Sequence, residues 1–216
     1  MTEYQTQTNL PRLNEPAPNF TAQSTHGAIQ LSDYRGKWVV LFSHPADFTP
    51  VCTTELAEFA RRANEFEKHN TQLIGLSIDS VYSHIAWIRN FEKHLNVKIT
   101  YPLIADLDTK VASLYGMIHP GASSTATVRC VFIIDDEGIL RAMVYYPLTN
   151  GRSVDEIFRI LQALQMNKKQ GVATPEGWTP GEKVIIPPPL TTAEAEKRVN
   201  DKSFEVTDWY FVKKSA

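Results

Sequence analysis

The sequence predicts an α/β fold, with a central mixed sheet flanked by helices and a C-terminal extension beyond it. Three observations carry this. Short apolar runs rich in β-branched and aromatic residues, 37–43 and 72–78, are each followed by a stretch with helical spacing. Two further apolar runs, 129–134 and 139–146, flank the turn Asp135-Asp136-Glu137-Gly138 and read as a hairpin. Composition then shifts, with Pro175, Gly177, Pro180, Gly181 and Pro187 to Pro189 marking an extended, loop-rich stretch. The order β-α-β-α, then hairpin and helix, is that of a thioredoxin-like layer. One α/β domain is therefore expected over 1–168, and a separate C-terminal arm over 169–216.

The elements follow in order. Residues 1–20, with Pro16 and Pro18, form a partly extended lead-in. The stretch from Met1 to Thr8 is polar and lacks the basic-then-apolar pattern of an export signal. Residues 37–43 make a buried strand, and 44–50 a polar loop. From Val51 the period changes. Leu56, Phe59, Ala60, Ala63 and Phe66 share one helical face, so a single helix of about four turns is expected, with Cys52 at its start and Pro50 in the first turn. A strand over 72–78 precedes a helix over 81–95 with Ile85, Ile88 and Leu95 on its apolar face. A shorter helix is expected over 106–115. Ser153, with Glu156 three residues on, opens a helix to about Met166. Residues 191–199 read as a short helix. The aromatic tail with Trp209, Tyr210 and Phe211 is too apolar to hang free, and packs on its own domain or on a partner chain.

Charge and composition exclude whole classes of function. The formal net charge is −2 with no long basic run, which argues against nucleic-acid and anionic-membrane partners. No apolar run approaches the ~18 residues of a membrane span. Only two cysteines occur, Cys52 and Cys130, too few for a secreted disulfide scaffold. A reducing, cytoplasmic setting with at least one working thiol is the expectation.

Cys52 is the stronger thiol. It lies in the first turn of a helix that follows a strand and a loop. Unpaired N–H groups and the helix dipole favour an anion there, and the thiolate is the nucleophilic form of cysteine. Thr49 stands where it would cap this helix or point its hydroxyl into the same pocket. Pro45 and Pro50 stiffen the loop. Glu55 would accept from a backbone N–H or an arginine. Cys130 neighbours Arg129 on a strand, where successive side chains face opposite ways. If Arg129 faces the thiol, Cys130 packs into the core.

The string Pro45-x-x-x-Thr49-x-x-Cys52 resembles the active-site signature of the peroxiredoxins, and Phe48, Thr53, Thr54 and Glu55 match its frequent extension. The likeness runs on through His44, Leu76 to Ser80, His84, Trp87, Gly151-Arg152, Val172 to Pro175 and Trp178-x-x-Gly181. Over roughly 14–190 the chain is similar to the 1-Cys subgroup, the longer peroxiredoxins with a C-terminal extension. The resemblance implies that Cys52 attacks hydrogen peroxide or an organic hydroperoxide and becomes a sulfenic acid. It implies that Arg129 and Thr49 position the peroxide oxygens, that Pro45 shields the thiolate, and that His44 and Arg152 support the site. It implies no cofactor and no metal. The partners it implies are an external thiol such as thioredoxin or glutathione, and a second copy of the chain in a homodimer or larger ring.

Other readings weigh less. A thiol-disulfide oxidoreductase would want a Cys-x-x-Cys pair, but Thr49 and Glu55 stand at the two partner positions. A redox sensor would use the same thiol for one turnover only. A cysteine hydrolase could draw on His44 but has no acyl-substrate signature. The lipase-like activity of some relatives needs a serine where Lys37 stands.

Overall fold

The computed structural model describes residues 10–216, so the stretch Met1 to Thr8, read for an export signal, lies outside the described residues. The chain divides into two compact units, one ending at Val154 and the other spanning Asp155–Ala216.

The first unit is built on a seven-stranded sheet. Its strands are β1 (Thr21–Ser24), β2 (Gly27–Gln30), β3 (Trp38–Ser43), β4 (Thr71–Ser77), β5 (Leu103–Ala105), β6 (Arg129–Ile134) and β7 (Leu140–Tyr146). They lie in the order β2-β1-β5-β4-β3-β6-β7. β3, β4 and β5 run parallel, while β6 is antiparallel to β3 and forms the expected hairpin with β7. The sheet is therefore mixed, as the sequence predicts. Its central strands carry near-continuous apolar runs because both of their faces are covered.

The helices of this unit are α1 (Pro50–Arg61), α2 (Ala63–Lys68), α3 (Val81–Leu95) and α4 (Lys110–Leu114). α1 lies against the face that carries Phe42, whose ring stacks on Phe59 with centroids 4.1 Å apart. The other face collects Val39, Leu41, Ile74, Leu76, Cys130, Phe132 and Ile134 into a core closed by Phe20, Tyr115 and Met117. Period-two alternation along β6 thus puts Cys130 in that core and Arg129 on the α1 side.

Three helix expectations are corrected. The single helix from Val51 is two helices, parted at Arg62, whose φ of −98° and ψ of 3° leave the helical range. No glycine or proline marks that break; Arg62 instead pairs with Glu65 in the first turn of α2. In α3 the buried face is His84, Trp87 and Phe91, whereas Ile85 and Leu95 are exposed. Two aromatic rings and an imidazole at spacings of three and four bury more area than the aliphatic set, and they decide the helix's rotation. The helix expected over 106–115 shortens to α4. Asp106 stays outside it and accepts from the backbone N–H groups of Val111 and Ala112 at 3.0 and 2.7 Å. That side chain satisfies the helix start from upstream.

The second unit takes in nearly all of α5 (Val154–Gln170), then β8 (Val184–Ile185), α6 (Thr192–Val199), β9 (Glu205–Asp208) and β10 (Phe211–Lys214). Thr191 caps α6, its hydroxyl accepting from the Glu194 N–H. The three strands form a small antiparallel sheet in the order β8-β10-β9. Val172, Trp178 and Val184 make its core, with Ala163 and Met166 of α5 packed on them. The aromatic tail is a hairpin. Val212 is buried, and Trp209 and Tyr210 stand exposed at its turn.

Phe59 is fully buried against Phe42, so Phe59→Ala is expected to lower stability by about 3–5 kcal/mol. Urea denaturation measures the loss.

Candidate active site

The site begins where β3 ends. Ser43 donates to the Val128 carbonyl at 2.6 Å and accepts from the Cys130 N–H at 3.1 Å. Thr127 donates to the His44 carbonyl at 2.9 Å. These bonds tie the head of β6 to the end of β3, where the loop to α1 departs. Arg129, the first residue of β6, therefore reaches the first turns of α1.

Cys52 lies in the first turn of α1 and is 0% exposed. Glu55 stands one turn on, so both side chains face β6. Arg129 Nη1 donates to Cys52 Sγ at 3.4 Å and to Glu55 Oε2 at 2.6 Å. Its Nε and Nη2 both donate to the Leu148 carbonyl, at 2.9 and 2.8 Å. The guanidinium is thus fixed by its far side and aims its remaining edge at the sulfur. The sulfur thus has a fixed cationic donor on it.

Arg152 completes the group. Its backbone N–H and Nε donate to Glu55 Oε1 at 2.7 and 2.9 Å, and its Nη2 donates to Oε2 at 2.9 Å. Its Nη1 donates to the Cys130 carbonyl at 2.7 Å, and its guanidinium lies 5.7 Å over the Phe42 ring. Glu55 is buried yet fully satisfied. Burial pushes its carboxyl pKa up, but the hydrogen bonds and charge of Arg152, with Arg129 beside them, outweigh burial and hold it below the ordinary range.

Thr49 sits at the N-cap position, but its hydroxyl does not cap the helix. It donates to the Ala46 carbonyl at 2.9 Å, which tightens the loop. Pro45 is half-buried in the same loop. His44 is fully buried. Its Nε2 lies 2.9 Å from Asp47 Oδ1, and Asp47 Oδ2 lies 2.8 Å from Nδ1 of His84 on α3. Burial lowers the His44 pKa against the opposing pull of Asp47. The neutral ring then carries its proton on Nε2, facing the carboxylate. Nδ1 is left bare, the one buried side-chain nitrogen or oxygen without a hydrogen-bond partner among the described residues. His44, Asp47 and His84 hold their His and carboxylate atoms within 4.8 Å, near enough to share an ion. Those atoms are spent on one another at hydrogen-bond length instead.

The structure brings Cys52, Glu55, Arg129 and Arg152 into one contact group. It places Pro45, Thr49 and His44 in the loop that leads to it. Sequence reading missed Asp47 and the inward turn of His84. Asp47 lies inside the very string that marks the site, so the signal was present but had no partner to give it meaning. Cys130 is equally buried but differs in surroundings. Desolvation in its apolar cluster pushes its thiol pKa up to about 12.

Residues 13–143 match the AhpC/TSA family, and residues 163–202 match the C-terminal domain of 1-Cys peroxiredoxin. A peroxiredoxin of Aquifex aeolicus is 54% identical, covering 95% of this chain and 97% of that protein. A peroxiredoxin of Methanosarcina mazei is 50% identical over 93% of this chain and 96% of its own length. Among solved structures, a yeast mitochondrial 1-Cys peroxiredoxin described as resolved through glutathione/thioredoxin systems is 42% identical with a TM-score of 0.85. It covers 96% of this chain and 100% of its own. Peroxiredoxin 6 of Arenicola marina is 36% identical with a TM-score of 0.84, over 94% of this chain and 97% of its own.

Removing the Arg129 guanidinium should slow alkylation of Cys52 near neutral pH. Arg129→Ala is expected to do so roughly tenfold, read by mass spectrometry with a haloacetamide. Glu55 makes a second test. A lowered folded pKa means its stabilisation is complete above the ordinary glutamate range of ~4.3, and is lost as pH falls through the folded value. Glu55→Gln is expected to cost about 3–5 kcal/mol at neutral pH. The gap from the wild type should shrink at about pH 3, both measured by urea denaturation.

Proposed function

The chain belongs to the 1-Cys subgroup of the peroxiredoxins, within the AhpC/TSA family, and is a thiol-dependent peroxidase; on that premise we propose that Cys52 is its peroxidatic thiol, acting on hydrogen peroxide and organic hydroperoxides. The observation that carries this is Arg129 Nη1 at 3.4 Å from Cys52 Sγ, with Glu55 on the same nitrogen.

The chemistry then runs as follows. The Cys52 thiolate attacks the outer peroxide oxygen, an S–O bond forms, and the O–O bond breaks. The leaving oxygen takes a proton and departs as water or alcohol. Arg129 donates towards the charge that builds on the peroxide oxygens, and Thr49 offers its hydroxyl from the loop. Pro45 limits access of water, while Arg152 and Glu55 hold the Arg129 fork.

The sulfenic acid is resolved by a thiol from outside the chain. Cys130 is the one other cysteine in the sequence. It is 0% exposed and its thiolate is disfavoured, which supports an external resolver. An outside thiol attacks Cys52–SOH, water leaves, and a mixed disulfide forms. A second thiol releases Cys52 as the thiol and carries away the disulfide. Thioredoxin and glutathione are the reductants proposed, by analogy with the yeast relative. The cytoplasm supplies both. Residues 1–168 would then serve as the peroxidase domain. Residues 169–216 would serve as the dimerisation arm of a homodimer or larger ring, with exposed Trp209 and Tyr210 as contact residues.

Cys52→Ser should abolish steady-state peroxide consumption with every reductant while leaving the fold intact. Cys130→Ser should keep most activity. Trapping with dimedone after one equivalent of peroxide should label Cys52 alone. Activity retained in Cys52→Ser would overturn the assignment.

A further inference from the structure

Asp47 and His84 stand outside the group around Cys52, yet they are among the most completely buried polar side chains of the unit. The side chain of Asp47 is 1% exposed and that of His84 is 0% exposed. Burial of this kind needs every polar atom paired, and counting protons on these atoms fixes their charge.

Asp47 accepts through both oxygens, from His44 Nε2 and from His84 Nδ1. Burial alone would raise its pKa, but the hydrogen bonds from the two imidazoles outweigh burial and hold it well below the ordinary carboxylate range. It is therefore an acceptor on both sides. The other nitrogen of His84, Nε2, lies 3.0 Å from the Ile104 carbonyl oxygen, also an acceptor. A ring with acceptors at both nitrogens must carry a proton on each. The charged groups around it fit that state. Asp47 faces it from the loop, and Asp79 stands two residues past the end of β4, where its Oδ2 accepts from the Asp47 N–H and the Ser77 hydroxyl. His44 is the other titratable ring nearby and is neutral. β5 presents the Ile104 carbonyl.

The loop between β3 and α1 hangs on this pair. Asp47 is fixed through its backbone by Asp79 and through its side chain by α3. Its neighbours Ala46 and Phe48 continue the turn: Ala46 holds the Thr49 hydroxyl, and Phe48 takes a positive φ of 55°. A non-glycine residue in that region needs surroundings that over-determine it.

We propose that Asp47 and His84 are positioning residues of this peroxidase, forming a buried imidazolium–carboxylate pair that sets the loop carrying His44, Pro45 and Thr49 to Cys52. The proposal rests on the reading of Cys52 as the peroxidatic thiol. It adds residues that touch neither substrate nor sulfur and act through the loop. The carboxylate also dictates which nitrogen of His44 is bare, because it accepts a hydrogen bond from the Nε2–H.

The test uses the full chain with histidine labelled in 13C and 15N. The His84 signals are assigned by their loss in His84→Asn. Near neutral pH the wild type should show both His84 ring nitrogens protonated. In Asp47→Asn the amide nitrogen can donate to Nδ1, so His84 should keep one proton, on Nε2. A wild-type His84 with a single ring proton would overturn the pair. In kinetics, Asp47→Ala should lower kcat/KM for hydrogen peroxide about tenfold or more, and Asp47→Asn, which restores the hydrogen bonds, should recover most of that loss. An alanine variant equal to the wild type, or an asparagine variant no better than alanine, would overturn the positioning role. If Asp47→Ala fails to fold, the ring protonation of the wild type and the Asp47→Asn variant decides. A wild type that consumes no peroxide, or does so without Cys52, would sink the functional reading instead, and the ring protonation would still be read on its own.

Discussion

Two guanidiniums converge on one buried carboxylate. Glu55 accepts four hydrogen bonds from Arg152 and Arg129, and three separate stretches of chain meet there: α1, the head of β6 and the loop before α5. Such a group is costly to bury and hard to break, because removing one partner strands a charge in a poorly solvated place. Its stoichiometry matters as much as its strength. One carboxylate faces two cations, so the group keeps a net positive charge beside Cys52. The arginine that reaches the sulfur is also the one locked from behind by the Leu148 carbonyl. The fold thus spends its most expensive interaction on holding a cation still next to a thiol. That is electrostatic preorganisation in structural form, since the cation needs no rearrangement when charge develops.

The two cysteines show how little burial alone says. Both are fully buried. Cys130 lies in the apolar cluster with Val39, Phe132 and Tyr115, where burial outweighs the pull of Ser43 and Arg152 towards an anion. Cys52 lies on the other side of the sheet, at a helix start, with Arg129 on its sulfur. One residue of strand offset separates Arg129 from Cys130, and that offset gives the two thiols opposite surroundings. The loop between β3 and α1 carries a second layer of control. Its shape depends on Asp47, Asp79 and His84 below it, so α3 and β4 reach the site without touching it.

The string from Pro45 to Cys52 was legible because its residues are neighbours in sequence and their roles are local: a proline-stiffened loop, a helix start, a thiol. Arg129 was legible through the family resemblance, and strand alternation, which needs only the parity of a short run, then turned Cys130 away from it. The face of α3 was not. Ile85 and Leu95 are as apolar as any core residue, and nothing in the helix itself says that Trp87 and Phe91 have the better cavity. Asp47 reads as a loop aspartate until His84 arrives from another element. The break at Arg62 has no glycine or proline to announce it.

Sequence alone thus determined the central alternation of strand and helix, the mixed sheet with its hairpin, and the placement of Cys52 at a helix start. These follow from periodicities of two and 3.6 and from local backbone preferences, which neighbouring residues set among themselves. The tertiary structure decided which polar side chains would be buried together: Glu55 with two arginines, and Asp47 with two histidines. The reason is that a buried charge is tolerable only beside its partner. Those partners lie 97 residues away for Glu55 and Arg152, and 37 for Asp47 and His84, a separation no local rule can bridge.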